Sequence, residues 1–349
     1  MSMQVSVVIP VYKAAAFVED AVRSVLALRE VHEVVLVEDG SPDNSLELCR
    51  RIEASDTRVR LVQHDGGVNK GAAASRNLGM REASSPFVAF LDADDRFLPE
   101  RFVGDAQVFH AHPDADGVYN AIGVHYHDAE GQRRFDQQFG SELTTVRRPM
   151  PPKELFPALI GVSGLLDVGH FSLDGLTMRK AALDRMPQLM REDLVIGEDT
   201  EFTIRLSFHC NLYPGSLDKA VSLRGVHADN RVTSDPRRNI TRLRLYRALS
   251  EWSGTTNMGM EARTKLAKDA ATYEVLCART GAERAKAIAL LFRHPGLLKR
   301  VDVSEAAVAL LSGQGTWLTR MGCSMVRWMH RLLWRIKGAA PPTPSNRDK

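Results

Sequence analysis

Residues 5–28 read VSVVIPVYKAAAFVEDAVRSVLAL. Val5 to Val11 form a β-branched run with the composition of a strand, and Phe17, Ala21, Val22, Val25 and Leu28 then recur at helical spacing. The unit repeats. Residues 33–37 (EVVLV) precede a helix expected to start near Ser41 and Pro42, residues 59–63 precede one over about 69–81, and residues 87–91 (FVAFL) precede one expected to open at Pro99. Apolar strands alternating with amphipathic helices predict an α/β fold with a mostly parallel sheet, because parallel strands need crossover connections that cover both faces.

In such sheets ligands bind beyond the carboxyl ends of the strands. That rule selects 10–13, 38–41, 64–67 and 92–95 as the lip of one crevice. Farther along, periodicity weakens over 117–148 into short strands and a polar loop punctuated by Pro149, Pro151 and Pro152. A strand is expected over 171–179, a helix from about Glu198 and a strand over 220–224, with almost everything after Pro236 helical. The expected domains are 1–235, split into a donor half (1–115) and an acceptor half (116–235), then a helical basic extension over 236–338 and a disordered tail over 339–349.

The chain has 349 residues, 44% hydrophobic and 26% charged, which excludes collagen-like, coiled-coil and wholly disordered classes. No apolar run approaches the ~18 residues of a membrane-spanning helix, and the N-terminus lacks the basic and cleavage features of a secretory signal. Cys49, Cys210, Cys277 and Cys323 are too dispersed for a zinc site or disulfide framework. A cytoplasmic protein with reduced thiols is expected. The net charge of +3 conceals an imbalance: residues 1–235 sum to −10 and residues 236–349 to +13, so the two parts are expected to do different jobs.

The densest chemical signal is FLDADD, residues 90–95, where a strand ends in Asp92, Asp94 and Asp95. Like charges this close raise one another's pKa unless a cation sits among them, and Mg²⁺ or Mn²⁺ suits oxygen ligands of this kind. Asp95 could equally cap the following helix. At the second strand end, Glu38-Asp39-Gly40-Ser41-Pro42 reads partly as a helix start, which accounts for Ser41 and Pro42 but less well for Asp39; a carboxylate there can accept from a base N–H or a ribose hydroxyl. The third feature, GAAASRNLG over 71–79, sets small residues for close helix–sheet packing beside Arg76, which could hold a carboxylate or phosphate bidentately.

Taken in order, VSVVIPVYK, VVLVEDGSPDNS, GAAASRNLG and FLDADD closely resemble the N-terminal half of family 2 glycosyltransferases, inverting enzymes of the GT-A fold that use nucleotide-sugar donors. GEDTEF over 197–202, with Arg205, resembles the acceptor-side Glu-Asp motif of that family. The resemblance implies that Tyr12 stacks on the nucleobase and Asp39 accepts its N–H. Pro10, Glu38, Arg76, Asp92 and Ala93 would complete the donor site, with Glu38 standing where the family more often has Asp. Asp92 and Asp94 match the DxD motif, with Asp94 the leading ligand of a divalent Mn²⁺ or Mg²⁺, Asp92 nearer ribose or metal, and His227 near the departing diphosphate or metal. Asp199 would be the general base and Glu198 its orienting neighbour. Without the resemblance, Asp199 reads first as a helix N-cap, with Glu198 and Glu201 as ordinary partners of the helix dipole.

The function so implied is transfer of a sugar from a UDP-, GDP- or dTDP-sugar to a hydroxyl of a glycan or lipid-linked acceptor, in bacterial-type polysaccharide or glycolipid assembly. A sugar nucleotidyltransferase is one alternative, although such enzymes open with a Gly-rich loop where this chain has IPVYKAAAF. A non-catalytic nucleotide-sugar-binding module is another, and nucleic-acid binding is not expected. Residues 316–338, TWLTRMGCSMVRWMHRLLWRIKG, place Arg320, Ser324, Arg327, Arg331 and Arg335 on one helical stripe without an acidic residue. This segment is expected either to lie on an anionic membrane surface, peripheral at its inner face, or to pack its apolar side on the protein itself.

Overall fold

Val5, Val7, Val8, Ile9 and Val11 are all sealed from solvent, as a strand covered on both faces requires. This strand, β1 (Val5–Val11), begins the first of two units into which the chain divides, Met1–Ser234 and Asp235–Lys349. The computed structural model describes residues 3–138, 142–162, 164, 168–227 and 238–312.

In the first unit β1 is followed by α1 (Val18–Leu26), β2 (Val31–Glu38), α2 (Ser45–Ser55), β3 (Val59–Gln63), α3 (Ala72–Glu82) and β4 (Phe87–Phe90). Then come β5 (Arg96–Phe97), α4 (Val103–Ala111), β6 (Gly117–Tyr119), β7 (Ile122–Tyr126), α5 (Ala129–Gln138) and α6 (Pro152–Leu159). The unit closes with β8 (Leu176–Arg179), α7 (Lys180–Asp184), α8 (Glu198–His209), β9 (Leu212–Pro214) and β10 (Ser222–Val226). Seven strands form one sheet in the order β3-β2-β1-β4-β8-β6-β9, and β5-β10-β7 form a second. The first four strands of the large sheet are parallel, and β8 runs antiparallel between β4 and β6.

The chain winds from β1 outward to β3 and then returns to the other side of β1 as β4. The strand order therefore reverses between β1 and β4, and the crevice at their carboxyl ends is where open α/β sheets bind ligands. Val18, Ala21, Val22 and Val25 of α1 are buried against this sheet, each buried valine contributing about 1.5–3 kcal/mol. Helix α3 approaches closest at Gly79, where a Cβ would overlap Val8 Cγ1 and stand 3.2 Å from Val37 Cγ2.

Several boundaries differ from the sequence reading. Helix α2 begins at Ser45 because Ser41 donates its N–H back to Glu38, keeping Ser41 and Pro42 in the loop. The helix expected at Pro99 starts at Val103, since Arg96 and Phe97 first pair with β10. Leu173–Gly175 form a short turn of helix before β8, so the strand expected from 171 begins at Leu176. Helix α5 lies where a polar loop was expected; its sequence AEGQRRFDQQ carries too few apolar residues to announce a helix.

The second unit contains α9 (Arg238–Thr255), α10 (Met260–Cys277), α11 (Gly281–Arg293) and α12 (Val301–Ser312). Its core gathers Ala271, Val275, Ala287, Leu297 and Val303, and Thr280 with Glu283 form a reciprocal capping box at the start of α11. Among the described residues no helix is long and apolar enough to cross a membrane. The basic segment 316–338 and the tail 339–349 lie outside the described residues.

Candidate active site

Tyr12 follows β1 at the crevice and is 46% exposed, with the Lys13 Nζ 5.4 Å from its ring centroid. Lys13 holds a left-handed φ of +52°, a conformation uncommon outside glycine, asparagine and aspartate. Pro10 lies within β1, paired with Val37. At the end of β2, Glu38 is buried and spends its two oxygens on the loop around it, accepting from the Ser41 N–H at 2.5 Å and the Gln63 Nε2 at 2.8 Å.

Asp39, also buried, accepts from the backbone N–H groups of Lys70 and Gly71 at 2.7 and 2.9 Å, while its carbonyl accepts from Asn69. It thereby satisfies donors immediately before α3, whose amino-terminal end favours negative charge. Gly40 permits this closure: its φ is +63°, and a Cβ there would lie 2.7 Å from the Asn69 nitrogen. Glu38 and Asp39 thus shape the rim; the buried His64 Nε2 also stands 3.5 Å from Asp39 Oδ1, while a carboxylate oxygen bound by one N–H, as Oδ2 is, can accept from a second donor.

The small residues of α3 bring Arg76 beneath the crevice, 5% exposed. Its guanidinium donates to Asp92 at 2.6 Å and to Glu198 at 3.2 Å. Burial by itself would lower the pKa of this group, but the charges of Asp92 and Glu198, and more weakly Asp199, raise it above the ordinary arginine value. One buried cation therefore gathers acids from the end of β4 and from the start of α8. The Arg76 Nε is buried with no hydrogen-bond partner among the described residues.

Helix α8 opens after Gly197, which takes φ +86°, and carries Glu198, Asp199 and Glu201 in its first turn. Their roles separate on contact geometry. Glu198 is buried on Arg76, and Glu201 is bound bidentately by Arg205 at 2.7 and 2.8 Å. Asp199 is half-buried and accepts from the Thr200 N–H at 2.6 Å.

Past β4, the three aspartates diverge. Asp95 is buried at 3% exposure and accepts from the Gly225 N–H at 2.7 Å. It meets Asp174, equally buried, which accepts from the Asp92 N–H at 3.1 Å and the Ser172 hydroxyl at 3.1 Å. Burial and then mutual repulsion drive the Asp95 carboxyl well above the usual carboxylate range, and burial with the Asp92 charge raises Asp174. Two buried carboxyls this close disfavour ionising together. Ligand-capable oxygens of Asp92, Asp95 and Asp174 lie within 4.8 Å of one another.

Asp94 instead faces His227, Oδ2 to Nε2 at 3.3 Å, with side chains 28% and 18% exposed. His227 follows β10, stacks on Phe17 at 5.1 Å between ring centroids and stands 6.2 Å from the His127 ring. His127 lies just past β7 with its Nε2 3.4 Å from the Asp94 carbonyl oxygen. Gly225 makes this fit, because any Cβ would overlap that carbonyl and approach the His127 Nε2 to 2.7 Å. Ala93, between the two aspartates, is buried.

The crevice thus unites Arg76, Asp92, Glu198 and Asp199 in one charged cluster and joins Asp94 to His227. The sequence reading missed Asp174 and His127. Neither carries a local signature, since each is a single polar residue whose partner lies far along the chain. Asn77 was read only as part of a helix, yet it bonds Met190 and Glu192.

Residues 6–173 match the sequence profile of glycosyl transferase family 2. The succinoglycan biosynthesis protein ExoU of Rhizobium meliloti is 38% identical over 212 residues, covering 58% of this chain and 56% of ExoU. The glycosyltransferase GlyG of Streptococcus pneumoniae is 33% identical over 137 residues, covering 39% of this chain and 43% of GlyG. The chain thus spans about half the length of these relatives. In three dimensions it resembles S. aureus TarS 1-349, solved in complex with UDP-GlcNAc, with a TM-score of 0.59 and 16% identity over 98% of this chain and 95% of that one. At that identity the likeness concerns the fold, and it agrees with the GT-A-type architecture. The sequence match thus places a glycosyl transferase family 2 domain at residues 6–173, within the first unit of the chain.

Proposed function

We propose that this protein is an inverting glycosyltransferase that moves a sugar from a nucleoside-diphosphate sugar to a hydroxyl acceptor in polysaccharide or glycolipid assembly. The observation that carries this reading is the gathering of Asp92, Glu198 and Asp199 around Arg76 beside the Asp94–His227 pair, since a displacement at a sugar carbon needs a donor side and a base side within one crevice. Tyr12, exposed at the rim, is suited to stack on the nucleobase, and Asp39 to accept from it, with Pro10, Glu38, Arg76, Asp92 and Ala93 forming the rest of the donor pocket.

A divalent cation fits the donor set. Asp94 and His227 offer an oxygen and a nitrogen 3.3 Å apart, both partly exposed, whereas the oxygens of Asp95 and Asp174 are buried and engaged by Gly225, Asp92 and Ser172. Asp94 and His227, with Asp92 beside them, would hold Mn²⁺ or Mg²⁺, which neutralises charge on a departing diphosphate. Asp199, partly exposed with its Oδ1 anchored by Thr200, takes the proton of the acceptor hydroxyl. The attacking oxygen then enters opposite the leaving diphosphate, and a single in-line displacement inverts the anomeric carbon.

TarS was solved with UDP-GlcNAc, which makes UDP-sugars the first donors to test, and the name of ExoU, a succinoglycan biosynthesis protein, supports an acceptor in polysaccharide assembly. Asp199→Asn is expected to lower turnover by roughly 10²–10⁴-fold, the usual contribution of a general base, while nucleotide affinity measured by calorimetry stays unchanged. Asp94→Asn is expected to abolish stimulation by Mn²⁺. Retained turnover in the first variant removes the base assignment, and retained stimulation in the second removes the metal assignment.

A further inference from the structure

The residues that follow Arg76 and precede Glu198 carry an additional feature. Asn77, 4% exposed on α3, uses both ends of its amide on the backbone of one residue of the segment before α8: its Oδ1 accepts from the Met190 N–H at 2.9 Å, and its Nδ2 donates to the Met190 carbonyl at 2.9 Å. The same Nδ2 reaches Glu192 Oε1 at 3.0 Å. From the other side Arg205 donates to the carbonyls of Gln188 and Leu189 at 2.7 and 2.6 Å. One residue away, Arg76 holds Glu198, the first residue of α8. Residues 188–198 are therefore clasped to α3 at two places by consecutive side chains, and among these contacts only the amide of Asn77 pairs with a backbone N–H and C=O together.

We infer that Asn77 is a positioning residue: it fixes the backbone ahead of α8 so that Asp199 stands at a set distance from the donor-side acids. This rests on the reading of Asp199 as the base. A glutamine in its place would be longer by one methylene and an aspartate would lack the donor, so the geometry is specific to asparagine. Helix α3 thus serves the donor side through Arg76 and sets the acceptor-side base through Asn77, which gives one helix control over both halves of the displacement.

The experiment uses the full chain with Asn77→Asp, which keeps the acceptor for Met190 N–H but loses the donor and faces Glu192 with a like charge. Adding Glu192→Gln supplies an amide that donates to the new carboxylate. Hydrolysis of a panel of UDP-, GDP- and dTDP-sugars gives the turnover, calorimetry with the free nucleoside diphosphates gives the affinity, and hydrogen exchange follows the amides of 188–201. Misplacement by about 1 Å costs on the order of 10²-fold in rate, so Asn77→Asp is expected to lower turnover by about that factor with nucleotide affinity within about 2-fold, and Glu192→Gln to restore at least 10-fold of it. Exchange is expected to rise at 188–201 and to stay unchanged in β1–β4.

Unchanged turnover, a matching loss of nucleotide affinity, or no recovery in the double variant overturns the proposal. If the wild-type chain hydrolyses none of these sugars, the glycosyltransferase reading is what fails; the clasp is then judged by exchange alone, and unchanged protection at 188–201 in Asn77→Asp overturns it.

Discussion

Gly225 offers the sharpest test of the donor side. It lies in β10, donates its N–H to Asp95 and has no room for a side chain: an added Cβ would overlap the Asp94 carbonyl oxygen, sit 3.0 Å from the Asp94 carbonyl carbon and 2.7 Å from the His127 Nε2. Restoring an ordinary contact of about 3.5 Å requires His127 to retreat by roughly 0.8 Å and the Asp94 backbone by more. Asp94 is tied to His227 and its neighbour Asp95 to Gly225 itself, so the movement passes directly into the proposed metal ligands. A displacement near 1 Å at reacting groups costs on the order of 10²-fold in rate, and overpacking of this kind costs about 1–3 kcal/mol of stability. Gly225→Ala is therefore expected to cut Mn²⁺-stimulated turnover of the nucleotide sugar by about 10²-fold and to raise the Mn²⁺ concentration needed for half-stimulation. Gly254→Ala is the control: nothing lies within 4 Å of its Cβ position, so turnover should hold while stability rises by up to about 1 kcal/mol. Turnover and Mn²⁺ dependence of Gly225→Ala indistinguishable from wild type would refute the claim that this close approach positions Asp94.

Other expectations concern charge and burial. Arg76→Ala leaves Glu198 buried without its cation, and removing one partner of such a pair costs about 3–5 kcal/mol; urea unfolding reads this directly, and a loss below about 1 kcal/mol would mean that Glu198 is effectively solvated. The folded carboxyls of Asp95 and Asp174 lie above their unfolded values, so the stabilisation from their bound proton is complete at acid pH and is lost as pH rises through the folded pKa. Asp174→Asn, which keeps the acceptor for the Asp92 N–H, should flatten the decline in melting temperature from pH 5 to pH 8 in EDTA, and an unaltered slope would speak against the bound proton. Burial first, with nearby acids, pushes the thiols of Cys49 and Cys210 up to about 12. Both should escape iodoacetamide at pH 8 in the native protein and react in guanidinium, as mass spectrometry of peptides would record.

Local pattern was enough for the framework of the first four strands. The β-branched runs at Val5–Val11 and Val34–Val37, each ending in a polar turn, announced parallel strands and put Tyr12, Asp39 and Asp92 at one lip, because strand ends and helix starts are encoded by neighbours a few residues apart. Helix α8 and its acidic first turn were legible for the same reason. Ser41 and Pro42 misled because the Ser41 N–H turns back to Glu38 three residues earlier and the Ser41 hydroxyl accepts from the distant Lys13 N–H, which holds both residues in the loop.

Long-range pairings had no such signal. Arg76 and Glu198 are 122 residues apart, Asn77 and Met190 113, and Asp92 and Asp174 82. Strand patterns and helix spacing were sufficient to set acids at strand ends and a basic residue in a small-residue helix. Which acid answers to which cation depends on hydrogen bonds and burial acting across space: Asp92, Asp94 and Asp95, with similar local surroundings, became a guanidinium partner, a histidine partner and a buried carboxyl beside Asp174 once β8, α8 and β10 closed around them.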